Sequence, residues 1–308
     1  MALKLTRVDY EKKGHLAYVT ITNAEHENCL DEQVDHDLWS VWRDFRDDPK
    51  LYVAILTGEG QKSFCAGSDL RAYVERISKR SPEWNRRRAD EGPNLGGITK
   101  GIAVWKPIIA AINGYCLAGG MELAMACDIR IAADHAKFGV VNRRWYVGAE
   151  SGLTQRLPRI VGLGVALDLL ITGRWFDAKE AYRINFVSRV VKRTRLLDEC
   201  TKLAERICEY PQSSLRTDKE ACIRGLGLHA GGRAAAREHA LEHEPLAARH
   251  ARRTEGVHRE AEVRPDAGGL TGRRVAEGAR RLDGPTSRDR SRRSGTPRSR
   301  RTWRSPDA

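Results

Sequence analysis

Asn113-Gly114-Tyr115-Cys116-Leu117-Ala118-Gly119-Gly120-Met121-Glu122-Leu123 is the stretch that decides the fold. It follows Pro107-Ile108-Ile109-Ala110-Ala111-Ile112, an apolar run of strand length. Gly114 to Gly120 reads as a turn and Met121 to Ala126 as the start of a helix. Paired glycines at a helix start have a chemical consequence. The first N–H groups lack intrahelical acceptors and sit at the positive end of the helix dipole. A developing oxyanion is favoured there, which suits Gly119 and Gly120 to binding an enolate. By itself the motif fits a plain tight strand-to-helix connection equally well.

Working outward, the same alternation of elements recurs. His15-Leu16-Ala17-Tyr18-Val19-Thr20-Ile21 alternates apolar and polar residues, as a half-buried strand does. After a loop at Asn23 to Asn28, residues Asp31 to Phe45 place Val34, Leu38, Val41, Trp42 and Phe45 on one helical stripe. Tyr52-Val53-Ala54-Ile55-Leu56-Thr57-Gly58 reads as a buried strand ending in a turn. Ile129 to Ala133 gives another short strand, and Leu163 to Ile171 a helix closed by Gly173. The fold class is α/β, built from repeated strand-strand-helix units.

A second glycine segment, Lys62-Ser63-Phe64-Cys65-Ala66-Gly67-Ser68-Asp69-Leu70, follows the strand ending at Gly58. Small residues at Ala66-Gly67 let a ligand lie against the backbone, and the turn can aim the Ala66 N–H at a carbonyl oxygen. An ordinary glycine turn would look the same.

Together the two segments resemble the oxyanion-loop motifs of the crotonase (enoyl-CoA hydratase/isomerase) superfamily. The first motif is Phe64 to Leu70 and the second Asn113 to Asp128, followed by Ala136-Lys137-Phe138-Gly139. Similarity continues through Thr154 to Gly162 and Leu170 to Arg174, and spans roughly residues 5 to 225. The resemblance implies a crotonase-like spiral of ββα units over residues 1–200, with a C-terminal helical region beginning at 201–227. It also implies an acyl-CoA substrate, no cofactor beyond the coenzyme A that the substrate carries, and a homotrimer or hexamer.

Carried onto this sequence, the resemblance makes the N–H groups of Ala66 and Gly119 the oxyanion hole for the thioester carbonyl. Glu122 falls where hydratases of the family carry one of two catalytic glutamates. The aligned second position holds Asn142, an amide that can orient water but cannot accept a proton. Glu150 aligns with an acidic position used as a base by family isomerases and could restore the pair; a plain loop carboxylate is the alternative. Lys62, Phe64, Ala66, Asp69, Leu70, Gly119, Glu27 and Asn28 lie where members contact coenzyme A, with Asp69 also a candidate helix cap. The tryptophans and Arg143-Arg144 read as packing and surface charge.

Three functions compete: an enoyl-CoA hydratase, a delta3-delta2 or dienoyl isomerase needing one mobile carboxylate, and a catalytically impaired or RNA-binding relative. The last arises from the net charge of +13, but +8 of it lies in residues 228–308, which hold 19 Arg against 11 Asp and Glu. That tail contains no Lys, Asn, Gln, Ile, Met, Cys, Phe or Tyr. It reads as disordered or loosely helical, with a candidate helix at Arg233 to Arg253, and as either a basic interaction segment or the product of a shifted reading frame. Because it does not resemble the family's C-terminal helices, assembly is expected to be weakened, and nucleic acid is not an expected partner. Seven cysteines without Cys-x-x-Cys spacing read as reduced thiols, with no structural metal. No apolar run approaches the roughly 20 residues of a membrane span. The N-terminus has no signal-peptide pattern, so the expected location is cytoplasmic.

Overall fold

A computed structural model of the chain describes residues 3–78, 81, 83, 92–145 and 147–227. All of them fall in Met1–Thr254, the first of two compact units. The Arg-rich tail from residue 228, its expected helix and Tyr146 lie outside the described residues.

The chain opens with a hairpin, β1 (Val8–Lys13) and β2 (Leu16–Ile21), turning at Gly14 with φ of +57°. Helix α1 (Glu32–Asp47) follows. Its start is set by Asp31, whose carboxylate accepts the Val34 N–H at 2.8 Å. Its predicted stripe, Val34, Leu38, Val41, Trp42 and Phe45, is fully buried.

Two sheets then grow in alternation. The larger contains β1, β2, β3 (Val53–Gly58), β5 (Ile108–Ile112), β7 (Ile129–Ala133) and β10 (Arg189–Val191), in that order, and is parallel from β2 onward. The smaller contains β4 (Ser63–Cys65), β6 (Tyr115–Leu117), β8 (Lys137–Gly139) and the antiparallel β9 (Trp175–Asp177). Gly114 to Gly120, read from sequence as a turn, therefore encloses a strand. Three residues are too short for a hydrophobic period to register.

Parallel strands buried on both faces need apolar residues at every position, which is why β5 is a continuous apolar run. Ile108, Ala110 and Ile112 join Leu56, Trp42 and Phe45 on one face. Ile109 and Ala111 join Val53, Ile55 and Ile131 on the other, covered by Leu196, Cys200, Ala204 and Ile207 of a late helix, Leu196–Cys208. Among the described residues the remaining helices in chain order are α2 (Leu70–Ser78), α3 (Gly119–Ala126), α4 (Leu153–Val161), α5 (Leu163–Thr172) and α6 (Ala178–Arg183). That covering helix is α7, and α8 (Gln212–Arg224) follows it. Gly173 closes α5 in the left-handed conformation, as the sequence predicts.

Lys106 ties these layers together. It is almost wholly buried and donates from Nζ to the carbonyls of Phe45 and Asp48 at the end of α1. Burial pushes its ammonium down to about 8. Between pH 8 and the unfolded lysine value near 10.4, the unfolded chain holds the extra proton, so stability rises with pH across that window. Lys106→Met is expected to destabilise by about 1–3 kcal/mol through the orphaned carbonyls. The gap to wild type should widen as denaturant melts move from pH 8 to pH 10.

Candidate active site

The two glycine segments meet because their glycines permit contact. A Cβ on Gly120 would lie 2.0 Å from the Cys65 carbonyl oxygen, and one on Gly114 would lie 2.1 Å from the Lys62 carbonyl oxygen. No other residue fits at either place. β4 therefore seats directly on the turn before α3.

Gly119 opens α3, and its N–H has no intrahelical acceptor. Ala118 ahead of it is held at φ +48°, an uncommon conformation for a residue with a side chain, pinned by its N–H on the Gly139 carbonyl at 2.9 Å.

The partner amide differs from expectation. The Ala66 N–H donates to the Glu27 carbonyl at 3.1 Å, so it is committed to the scaffold and does not point at a ligand. Glu27 adopts φ +55°, which brings that carbonyl over the loop, where it also accepts from Ser63 Oγ. The donor is Ser68. Leu30 bridges to Ser68 in parallel register, giving its N–H to the Gly67 carbonyl at 2.8 Å and taking the Asp69 N–H at 3.0 Å. In such a bridge the central residue's own N–H points the other way. Among the described residues no acceptor takes the Ser68 N–H.

Ser68 and Gly119 converge. A Cβ on Gly119 would lie 3.3 Å from the Ser68 nitrogen, and one on Gly67 would lie 3.0 Å from the Gly119 nitrogen. Both residues line a cavity of about 700 Å³, together with Glu122, Asn142, Glu150 and Lys100.

Glu122 is 3% exposed. Its Oε1 accepts the Ser151 N–H at 2.7 Å and the Leu153 N–H at 3.4 Å, leaving Oε2 for the cavity. Burial raises its pKa above the usual carboxylate range. The two N–H groups and the Lys100 charge oppose that rise, and the nearby Glu150 charge adds to it. Glu150 reaches the cavity from the loop before α4, and its Oε1 accepts from Tyr73 Oη at 3.4 Å. Two carboxylates and two converging N–H groups thus share one chamber.

Several expected coenzyme contacts are not at the cavity. Asn28 is fully buried, and its side chain binds the Asn23 N–H and the carbonyls of Glu59 and Ser63. Phe64 is likewise inside the core. Lys62 is not a lining residue, but it pairs with Glu27, which is. Asp69 and Leu70 line the cavity, and Asp69 caps α2 through the N–H groups of Arg71 and Ala72. Trp145 is no packing residue: it lines the cavity and is 59% exposed. Cys29, also lining, is pushed up to about 11 by burial and is a poor nucleophile at neutral pH.

Two converging amides, one of them at a helix start, beside the buried Glu122 and the exposed Glu150 can stabilise negative charge on a carbonyl oxygen. The enoyl-CoA hydratase/isomerase family model matches residues 11–267. (E)-benzylidenesuccinyl-CoA hydratase of Thauera aromatica is 41% identical over 71% of this chain and 82% of its own length. Crotonyl-CoA hydratase of Syntrophomonas wolfei is 38% identical over 70% of this chain and 81% of its own. An enoyl-CoA hydratase structure from Mycobacterium marinum has a TM-score of 0.74 at 29% identity, covering 84% of this chain and 97% of that one. The chain belongs to the enoyl-CoA hydratase/isomerase family and has its crotonase-like fold. It is an enzyme of the hydro-lyase type. Among the described residues no helix is long and apolar enough to cross a membrane.

Gly119→Ala would set a methyl 3.3 Å from the Ser68 nitrogen, crowding the space beside that amide. It should lower kcat/KM by about 10²-fold or more while leaving the fold intact. Gly164→Ala in α5 meets nothing within 4 Å and should leave kcat/KM unchanged while raising stability by about 0.5–1 kcal/mol. Steady-state rates and thermal melts on the two variants check this.

Proposed function

We propose that this chain is an enoyl-CoA hydratase acting on 2-enoyl-CoA thioesters. The thioester oxygen sits between the N–H groups of Ser68 and Gly119, so negative charge developing there meets two fixed donors. Such donors are each worth about 3–4 kcal/mol in other oxyanion holes. Water adds at C3, and the carboxylates of Glu122 and Glu150 take its proton and deliver one to C2. Coenzyme A lies along Glu27, Ala66, Asp69 and Leu70, with Lys62 acting through its ion pair to Glu27.

The observation that carries this reading is the shared chamber of Glu122 and Glu150, close enough for one charge to perturb the other. An isomerase needs only one mobile carboxylate, and a pair suits water activation better. The hydratase names of the relatives support the same choice. Their substrates range from a short alkenyl to an aromatic thioester, so a panel of short, medium and aromatic enoyl-CoAs would set the acyl preference.

Purified protein should hydrate a 2-enoyl-CoA, consuming its conjugated absorbance. Conjugation of a 3-enoyl-CoA without water uptake would point to the isomerase instead. Glu122→Gln retains an oxygen for the Ser151 N–H and is expected to fold, yet to lose about 10²–10⁴ in kcat.

The acid limb of the kcat profile should lie above the ordinary glutamate value near 4.3. Lys100→Met removes a cation that favours the carboxylate, so it should move that limb to higher pH. A limb that stays in place would detach it from Glu122.

The expected trimer or hexamer is proposed to be weaker than in family members with the usual C-terminal helices. A stable trimer or hexamer in size-exclusion chromatography with light scattering would overturn that.

A further inference from the structure

We propose that Arg156 is a positioning residue for Glu122, its guanidinium bridging two carbonyls so that the loop before α4 keeps its N–H groups on the carboxylate. This rests on the hydratase assignment and adds to it a group that does not line the cavity.

Arg156 is the fourth residue of α4. Side chains on a helix lean toward its N-terminus, and this one folds back far enough to donate from Nη1 to the Ser151 carbonyl at 3.1 Å. Nη2 donates to the Thr99 carbonyl at 2.9 Å. One planar fork thus joins the loop before α4 to residues 95–100. Both stretches wall the chamber, the first through Glu150 and Ser151, the second through Leu95 and Lys100.

The carbonyl of Ser151 is well placed to control Glu122. It belongs to the peptide unit lying between those that carry the Ser151 and Leu153 N–H groups. Both of these bind Glu122 Oε1, at 2.7 and 3.4 Å. Peptide units are planar and turn only about the two soft dihedrals of each residue, so holding the middle unit limits how the outer two can turn. The seat for the fork is Gly152, at φ +122°, where a Cβ would overlap Arg156 Nη1.

The charge is costly in this place. A cation is disfavoured at the start of a helix, where the dipole is positive. Burial also pushes the guanidinium below its ordinary value, and the Glu122 charge opposes that fall. A neutral amide could hold one carbonyl without either penalty. What the guanidinium adds is a second bond and an attraction that works both ways, steadying the Glu122 anion as well as its direction. Among the described residues the charged groups acting on Glu122 are therefore Lys100 in residues 95–100, Glu150 on the loop and Arg156 on α4.

Arg156→Lys tests this, because it keeps the positive charge but offers a compact ammonium that cannot span both carbonyls. Hydration kcat should fall by about 10²-fold while KM for a 2-enoyl-CoA stays within about twofold. Release of the Ser151 N–H removes a bond that favours the Glu122 anion, so the acid limb of kcat should move to higher pH. Gly152→Ala leaves Arg156 in the chain but fills its seat, and should move the limb the same way. The carboxyl titration of Glu122, followed by carbon-13 NMR and assigned by its loss in Glu122→Gln, should rise in both variants. Lower melting temperatures with the limb and the titration unmoved, or kcat and KM changing in proportion, would overturn the proposal and leave Arg156 to the scaffold. The titration needs no substrate. A wild type that does not hydrate would overturn the hydratase reading, whereas a Glu122 titration indifferent to both substitutions would overturn the positioning role alone.

Discussion

The contact between the Cys65 carbonyl and Gly120 is the constraint from which the site follows. With no room for a β-carbon, two loops distant in sequence are pressed together at the start of α3. Everything polar in the chamber is referenced to that junction. The Leu30 bridge turns the Ser68 amide inward from one side, the helix start supplies the Gly119 amide from the other, and Glu122 follows in the first turn of the same helix. Rigid backbone donors need no reorganisation when charge develops beside them.

Around that junction opposing electrostatic effects are held near balance. Burial of Glu122 favours its neutral form, while the Ser151 and Leu153 N–H groups and Lys100 favour its anion. A fully solvated carboxylate would be too weak a base, and a fully desolvated one would stay protonated. Glu150, on a more open loop, shifts the balance from outside without closing the chamber.

Much of this was legible in the sequence. The stripe of α1, the continuous apolar runs of β3 and β5 and the left-handed Gly173 each follow from periodicity or from the steric freedom of glycine. Gly119 was legible because helix starts have recognisable chemistry, whereas Glu122 was singled out only by the resemblance to the family. Ser68 was not. Which amide of an extended loop faces a ligand depends on a bridge to Leu30, far away in sequence, and a one-strand pairing leaves no pattern in either segment. Ala66 looked equivalent until the Glu27 carbonyl was seen to occupy it. Asn28 and Phe64 were misplaced similarly, since polar or apolar character does not distinguish a residue behind a loop from one in front of it. Tyr73, Ser151 and Trp145 reach the site from three separate elements and carried no local mark.

The division of the large sheet into two apolar faces separates chemistry from shelter along the polypeptide. Every group proposed to react is encoded before Leu153, whereas among the described residues most of the cover over Ile55, Ile109 and Ile131 comes with α7, ending at Cys208. A chain emerging from the ribosome therefore holds all of the proposed reacting groups while one side of its central sheet is still bare. Over that interval the nascent protein presents a greasy, strand-rich surface, and the arrival of α7 converts an aggregation hazard into an interior.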